Sequence, residues 1–438
     1  MKETGTIGDK LLFFLIFLFP FLPTNFYIGP LNYSNVCVVL IVMVYLLTRR
    51  KCIIINPFIY IGAFWVNLIV YAVFALATDS ILTGVAYFIA QFAISCIVIS
   101  IIKNEKDFYK IIDNFLLSAI VLGVVGVIEA LTKTYLIQGA IFNGTDSIRY
   151  GVLRSVATFG HPINFGIYQG IAAILAFYRL KTVISRKQKR LCMSAYLLSI
   201  ISMFLSVSRL AICLFVAIQL ILLLQMGIRN FMKYICMAGL FIVIIISILD
   251  LTGLGITELF HDLVETVRGD VLGLQSTSSN SAIGMGNRYD LYKWVIDAVG
   301  ENMLLGKGVG AIFSFQMNPW FTKTSVEVHY LYIYFQCGLV GLLSLVISYI
   351  SSLRFFGRNS GVLNNKEKVF SFSKVLFVTL FVYYICLLGV QETDLTRMYC
   401  LLISLGIAYV RIRKKNYEGN KERSRNENRV NISFDQGL

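Results

Sequence analysis

Long apolar segments, separated by shorter polar ones, follow each other along almost the whole chain. A helix needs roughly 17–25 mostly apolar residues to cross a hydrocarbon core of about 30 Å. Twelve segments meet or approach this length: 11–28, 34–48, 54–77, 81–102, 111–132, 161–178, 191–207, 210–226, 234–251, 329–350, 374–390 and 398–410. The pattern therefore predicts an all-α polytopic membrane protein with about twelve transmembrane helices.

The apolar run from Leu191 to Met226 is too long for a single crossing. Its 36 residues would form a helix of about 54 Å at 1.5 Å per residue. The only polar cluster near its middle is Ser206-Val207-Ser208-Arg209. We therefore expect a tight hairpin between two spans, with Arg209 in the turn.

Composition supports the membrane class. Of the 438 residues, 57% are hydrophobic and 14% are charged, whereas a soluble domain carries about 25% charged residues. The nine cysteines lie in or beside apolar runs, which is typical of packing residues rather than of disulfides or metal ligands. The N-terminal apolar stretch lacks a small-residue cleavage site and is interrupted by Pro20 and Pro23. We expect it to be a retained first span rather than a signal peptide.

The distribution of positive charge predicts the orientation, because Lys and Arg favour cytoplasmic loops. With a cytoplasmic N-terminus, 29 of the 39 basic residues fall on the cytoplasmic side and ten on the other. An even number of spans also places the C-terminus in the cytoplasm. The tail 411–438 has few apolar and many charged residues, so we expect it to be disordered. We expect no nucleic-acid binding, since Glu and Asn dilute its basic run and no aromatic residues interleave with it.

The predicted domain organisation is one integral membrane domain, 1–410, followed by that tail. Two extracytoplasmic loops are long: 133–160, with 28 residues, and 252–328, with 77. A pore or carrier does not need such loops, whereas an enzyme that handles bulky extracytoplasmic substrates does. Many transporters show two related halves and charged residues within the spans. Neither feature is clear here, and the main intramembrane acid is Glu129, near the outer end of the fifth predicted span.

Four arginines share the predicted extracytoplasmic side: Arg149, Arg154, Arg209 and Arg288. A guanidinium group binds phosphate through two hydrogen bonds and stays charged, which suits a diphosphate at a lipid–water boundary. The first two arginines precede Pro162, which we expect to begin a helix, so a phosphate there would also meet free backbone N–H groups. The alternative is that each arginine anchors a helix end at the membrane interface.

Glu327 and His329 lie where the long second loop enters the tenth predicted span. Histidine titrates near neutral pH, and a carboxyl group in a partly apolar site can be shifted towards it. Both residues are therefore candidates for a catalytic base. Alternatively, His329 packs with Tyr330 and Tyr332 in an interfacial aromatic belt.

Five segments, in this order, resemble the O-antigen ligase/polymerase superfamily of bacterial surface-polysaccharide enzymes. They are RSVATFGHPINFG (154–166), SVSRLA (206–211), Arg288 followed by Trp294, ENMLLGKGVG (301–310) and the YLY to GLVGLL run (330–343). The spacing of ten residues between Arg149 and Gly160 is also similar to one described for O-antigen polymerases. The resemblance covers mainly residues 149–345, and elsewhere the match is in hydropathy alone.

The resemblance implies a membrane glycosyltransferase that uses undecaprenyl-diphosphate-linked oligosaccharides at the outer face of the bacterial inner membrane, with no cofactor and no metal. By position, Arg209 and Arg288 would hold the donor diphosphate. The family often has a His-Asn-x-Tyr-Leu pattern at the end of the loop. Here Glu327 occupies the place of that histidine and His329 is displaced by two residues.

This departure favours a polymerase, which joins lipid-linked repeat units, over a ligase, which transfers the glycan to lipid A-core. The ligase is the alternative within the same chemistry. A lipid-linked oligosaccharide flippase or other transporter is the alternative from a different class. The expected partners are the lipid-linked oligosaccharide, membrane lipids and a chain-length regulator.

Overall fold

The computed structural model describes residues 31–48, 66–74, 94–137, 147–149, 151–229, 231–233, 286–318, 321–323, 326, 328–361, 371–390 and 396–435. It also describes residue 261 and a few positions before residue 31. Its helices are α1 (Tyr33–Thr48), α2 (Ile94–Ile101), α3 (Glu105–Thr132), α4 (Pro162–Thr182), α5 (Arg186–Leu205), α6 (Arg209–Gln225), α7 (Gly286–Val299), α8 (His329–Arg358), α9 (Phe372–Cys386) and α10 (Thr396–Asp435). Residues 66–74 are also helical.

Within the described residues, three short antiparallel hairpins accompany the helices. They pair β1 (Tyr27–Ile28) with β2 (Leu31–Asn32), β3 (Ile148–Arg149) with β4 (Val152–Leu153), and β5 (Phe315–Asn318) with β6 (Phe321–Lys323). Single 3-10 turns follow α7 and α8, at Gly300–Asn302 and Asn359–Gly361.

Within the described ranges, three helices are long and apolar enough to cross a membrane: α3, α4 and α8. They correspond to the predicted spans 111–132, 161–178 and 329–350. Helices α6 and α9 are apolar but shorter. The structure is consistent with an all-α membrane protein, whereas the number of twelve spans stays a prediction. The predicted spans 11–28 and 234–251 lie almost wholly outside the described residues, as does most of 54–77 and 81–102.

Two local predictions are confirmed. Helix α5 ends at Leu205 and α6 begins at Arg209, so the long apolar run turns at its polar cluster. Helix α4 begins at Pro162 after His161, whose side chain accepts a hydrogen bond from the Ile163 amide. The last helix, α10, continues to Asp435 and so includes most of the basic tail for which composition predicts disorder. The cytoplasmic location of that tail stays a prediction.

Helix α4 lies at the centre of the first half of the bundle, packed against α3, α5 and α6. Two of its buried polar side chains pair with α3. The Tyr168 and Ser118 hydroxyl groups lie 2.8 Å apart, and the Gln169 amide donates to the Ala119 carbonyl at 3.2 Å. Buried polar side chains need such partners because lipid and packed side chains offer none.

A buried ion pair closes the other end of this helix group. Arg179, near the end of α4, donates to Asp113 of α3 at 2.8 Å, and the Gln188 amide donates to the same carboxylate at 3.3 Å. The guanidinium group also lies over the Tyr109 ring, 4.1 Å from its centroid. The Asp113 carboxylate thus joins α3, α4 and α5.

Helix α8 is broken at Gly338, whose backbone (φ 59°, ψ −158°) adopts a conformation found almost only in glycine. The segment 303–308 fills the break. Its backbone makes four hydrogen bonds there: Leu339 N–H to Met303 O at 2.9 Å, Val340 N–H to Leu304 O at 3.2 Å, Lys307 N–H to Phe335 O at 2.8 Å and Gly308 N–H to Gln336 O at 2.9 Å. The polar groups freed by the break are therefore satisfied by protein, as membrane-buried backbone requires.

We expect Gly338→Ala to destabilise the protein and to release the segment 303–308. The new Cβ would lie 2.6 Å from the Leu305 nitrogen, and the strained backbone alone costs about 1–3 kcal/mol. Thermal unfolding in detergent and protease cleavage within the segment measure the two effects. The matched control is Gly357→Ala on the same helix, whose Cβ would make an ordinary 3.5 Å contact with Phe377. Equal stability of the two variants would contradict the prediction.

Candidate functional site

Two turns that are distant in sequence meet at one end of the bundle. The segment after β4 lies against the turn between α5 and α6: the Ser155 amide donates to the Leu205 carbonyl at 3.2 Å. The Arg154 Nε donates to the Ser206 carbonyl at 3.4 Å. Arg209 begins α6 directly after this turn. The contact therefore brings the regions of two predicted site arginines, Arg154 and Arg209, together.

Local sequence explains why α6 begins where it does. Ser208 has extended backbone and its hydroxyl group accepts from the Ala211 amide at 3.4 Å, as an N-cap serine does. Val207, just before it, has φ 49°, and Ala157 on the facing segment has φ 48°. Positive φ is costly for residues with a Cβ and above all for β-branched ones. Two such residues at one contact show that the surrounding hydrogen bonds hold the two turns in place.

The carboxyl group of Glu129 holds the first of these turns. This side chain, near the end of α3, is fully buried. One of its oxygens accepts from the amides of Val156 at 3.0 Å and Ala157 at 2.9 Å, and the other accepts from the Leu136 amide at 3.2 Å. The Ser155 hydroxyl group also donates to the Gly126 carbonyl of α3 at 2.6 Å. Helix α3 thereby fixes the backbone that carries Arg154.

The Tyr135 side chain lies close enough to Glu129 and Arg154 for both charges to act on its pKa. Burial raises the pKa of the Tyr135 phenol above its usual value, and the nearby Glu129 raises it further. Arg154 acts on that pKa in the opposite direction. Tyr135, Glu129 and Arg154 therefore share one partly desolvated region just beyond the end of α3.

The predicted arginines differ in their surroundings. Arg149 is half-buried in β3, and the Arg154 amide closes the same hairpin through a 2.9 Å hydrogen bond to the Ser147 carbonyl. The Arg154 side chain is 5% exposed, whereas Arg209 is half-buried at the start of its helix. Arg288 lies in the first turn of α7, and only its backbone is among the described positions.

His329 is the first residue of α8, as the sequence predicts for a residue at the junction of loop and span. Its amide lies 3.1 Å from the Leu387 carbonyl and 3.2 Å from the Val390 carbonyl, both just beyond α9. The side chain is buried, and its ring centroid lies 6.4 Å from that of Tyr330 in an edge-on arrangement. That contact agrees with the alternative aromatic interpretation. Glu327, the other candidate base, lies outside the described residues.

Helix α9 connects the arginine contact with the start of α8. It packs along α6, the helix that begins with Arg209, and the turn after it holds the His329 amide. The Tyr330 hydroxyl group adds a 2.8 Å hydrogen bond to the Tyr384 carbonyl of α9. Helices α6 and α8 therefore both pack against α9.

Sequence reasoning missed the structural roles of Glu129 and Ser155. Glu129 was singled out only as an acid within a predicted span, and nothing in its local sequence indicates which amides it accepts from. The position of Glu129 near the end of a predicted span is the sequence feature that could have indicated this role. A carboxyl group near a span end, facing a long loop with several glycines and small residues, is well placed to bind loop amides.

We expect Glu129→Leu to destabilise the protein by removing the acceptor of three amides. Each amide that stays buried without a partner costs about 1–3 kcal/mol. Glu129→Gln keeps one oxygen and should lose less, and Glu301→Gln, at an exposed carboxylate, should change stability by less than about 0.5 kcal/mol. Thermal unfolding in detergent ranks the three variants. A Glu129→Leu protein as stable as the unmodified one would show that the turn is held by other contacts.

A comparison with known proteins finds a family match for the part of the site that begins at α5. The family model described as O-antigen ligase matches residues 194–346. The match includes the α5–α6 turn with Arg209, helix α7 with Arg288, the segment 303–308 and α8 to beyond its break. No curated protein matches the chain. The match over residues 194–346 supports the similarity of this chain to the O-antigen ligase/polymerase superfamily.

Proposed function

We propose that the protein is a polymerase of O-antigen-type polysaccharide, a membrane glycosyltransferase that extends a lipid-linked glycan. The family match points to an enzyme of the ligase/polymerase type. The observation that carries the proposal is the contact of the 154–157 segment with the turn before Arg209, which concentrates positive charge at one end of the apolar helices. A lipid-linked diphosphate needs such a site, because its chain lies in the bilayer and its charge at the boundary.

The proposed reaction is the transfer of a lipid-linked glycan onto a lipid-linked repeat unit. A sugar hydroxyl group of one lipid-linked repeat unit attacks the anomeric carbon of the growing glycan, and the bond from that carbon to undecaprenyl diphosphate breaks. Arg209 and Arg288 bind the departing diphosphate and stabilise its developing negative charge. Glu327 or His329 accepts the proton of the attacking hydroxyl group. The diphosphate is a good leaving group, so neither a nucleotide sugar nor a metal is part of the proposal.

Burial assigns different tasks to the arginines. Arg209 is half-buried at the first turn of α6, where the positive end of the helix dipole adds to the attraction for a phosphate. Arg154 is nearly enclosed and its Nε is engaged with the Ser206 carbonyl. In the proposed site Arg154 therefore supports the turn and adds positive potential behind it, while Arg149 lies at the rim of the same hairpin.

The proposed location is the bacterial inner membrane, with both termini in the cytoplasm and the site on the outer face. The substrate lipid is undecaprenyl diphosphate, and the chain-length regulator stays a prediction. The ligase that transfers finished glycan to lipid A-core is the second candidate, because the family model carries that description. The replacement of the family histidine by Glu327 is the feature that favours the polymerase.

We expect Arg209→Ala to lower the formation of long-chain polysaccharide by about 10²–10³-fold, the usual effect of removing one group that stabilises transition-state charge. Arg209→Lys should retain more activity than Ala, since it keeps the charge but not the two-pronged geometry. The control is Arg186→Ala, an exposed arginine at the opposite end of the adjoining helix α5. Surface-polysaccharide gels give the chain lengths, and membrane content of each variant is measured in parallel. Normal chain lengths in Arg209→Ala would overturn the proposed site, and Arg288→Ala tests its other half in the same way.

Deletion of the gene separates the two candidate functions. Loss of a polymerase should leave single repeat units attached to the lipid A-core. Loss of a ligase should leave complete lipid-linked polymer and bare core. Gels of the outer lipid together with analysis of the lipid-linked pool distinguish the two outcomes, and unchanged polysaccharide would reject both.

A further inference from the structure

An exposed apolar patch lies in what the sequence predicts to be an aqueous loop. Met303, Leu304 and Leu305 follow α7, and the last two are 65% and 61% exposed. The patch is nonetheless ordered, because the backbone of this segment fills the break in α8. Exposed apolar residues that are rigidly held mark an interaction surface.

The patch continues an apolar stripe on α8. Leu339, Val340, Leu343, Ile347 and Ile350 are all exposed along this candidate span. The spacing of three and four residues places them on one face of the helix, and such a face on a membrane-spanning helix contacts lipid. The amides of the first two residues donate to the carbonyls of the 303–304 segment. The patch therefore lies beside the lipid-facing stripe, at the same depth as its first residues.

The length of α8 gives that depth. The exposed basic residues Arg354 and Arg358 mark the far end of the helix. At 1.5 Å per residue, the helix rises about 22 Å from Leu339 to Arg354 and about 28 Å from Leu339 to Arg358. A hydrocarbon core is about 30 Å thick. If either arginine lies at the far boundary, Leu339 lies within about 8 Å of the near boundary, on the hydrocarbon side.

The charge distribution fits this depth. Lys307 is exposed, and its amide bonds to Phe335, one turn of α8 nearer to His329 than Leu339 is. The Lys307 backbone therefore lies nearer to the His329 end of α8 than the backbone of residues 303 and 304 does. A short apolar stretch followed by a cation is the pattern of an interfacial membrane anchor.

We propose that residues 303–305 form a shallow re-entrant element whose side chains insert among the acyl chains of bilayer phospholipid, with Lys307 at the level of the lipid phosphates. The occupant is bulk phospholipid, because the backbone hydrogen bonds make the patch continuous with the lipid-facing stripe of α8. The proposal goes beyond the glycosyltransferase function and does not depend on it. Under this proposal, residues 303–305 would enter the membrane, unlike the rest of the predicted extracytoplasmic loop 252–328.

The test uses the full-length protein in vesicles of phosphatidylethanolamine and phosphatidylglycerol. A genetically encoded environment-sensitive fluorophore replaces Leu304, and the phospholipids carry a nitroxide quencher near the top of the acyl chain. We expect the emission at position 304 to fall by more than about half, because the side chain would lie within about 10 Å of the shallow label. Aqueous iodide should quench it weakly.

Two matched positions calibrate the result. The fluorophore at Leu343, on the α8 stripe, should be quenched better by nitroxides deeper in the chain. The fluorophore at Lys293, an exposed residue of α7, should respond to iodide and hardly to lipid quenchers. Leu305 serves as the second insertion position if the protein labelled at 304 does not accumulate in membranes.

Three results would overturn the proposal. The first is quenching at 304 and 305 by iodide but not by lipid. The second is lipid quenching that appears only when polyprenyl phosphate is added, which would assign the patch to the substrate chain. The third is equal lipid quenching at 304 and 293, which would mean that the whole loop lies on the membrane without insertion.

Discussion

Backbone N–H and C=O groups of this bundle that have no helical partner must find hydrogen bonds elsewhere in the protein, because lipid offers none. The described structure meets this demand in three ways. A carboxyl group does so at Glu129, which accepts from three amides of the loop region. At Gly338, the neighbouring segment 303–308 replaces the hydrogen bonds that the broken helix lacks. At the end of α2, the Arg411 side chain donates hydrogen bonds to two backbone carbonyls.

The same requirement makes the candidate site rigid. The segment carrying Arg154 cannot move without breaking its hydrogen bonds to α3 and to the α5–α6 turn. The turn before Arg209 is likewise held, and its strained Val207 would relax if those contacts were lost. Arginines fixed in this way can act on a developing charge without reorganising, which is the condition under which electrostatic stabilisation is most effective. Stability and the proposed chemistry thus depend on one set of hydrogen bonds.

The proposed substrate makes opposite demands on one surface. Its isoprenoid chain requires an apolar environment, and its diphosphate requires positive charge within a few ångströms of that environment. The turn between α5 and α6 has both features, since two apolar helices meet there beside half-buried Arg209 and buried Arg154. At the break in α8 the exposed apolar surface continues onto the 303–305 segment, within the region that the family model matches. Membrane anchoring and substrate binding would therefore be neighbours without sharing residues.

The sequence by itself determined the membrane class, the turn at Ser206–Arg209, the helix start at Pro162 and the family resemblance. These features rest on hydropathy, turn residues and short motifs, which act over a few neighbouring positions. Only the tertiary structure decided that Arg154 contacts the carbonyl of a residue 52 positions away, that Glu129 holds the loop, and that the 303–308 segment completes α8. Such pairings depend on which helices pack together, and no local pattern encodes that choice. For the same reason the helical course of the basic tail, joined to α2 and α3 by Arg411 and Arg413, could not be read from its composition.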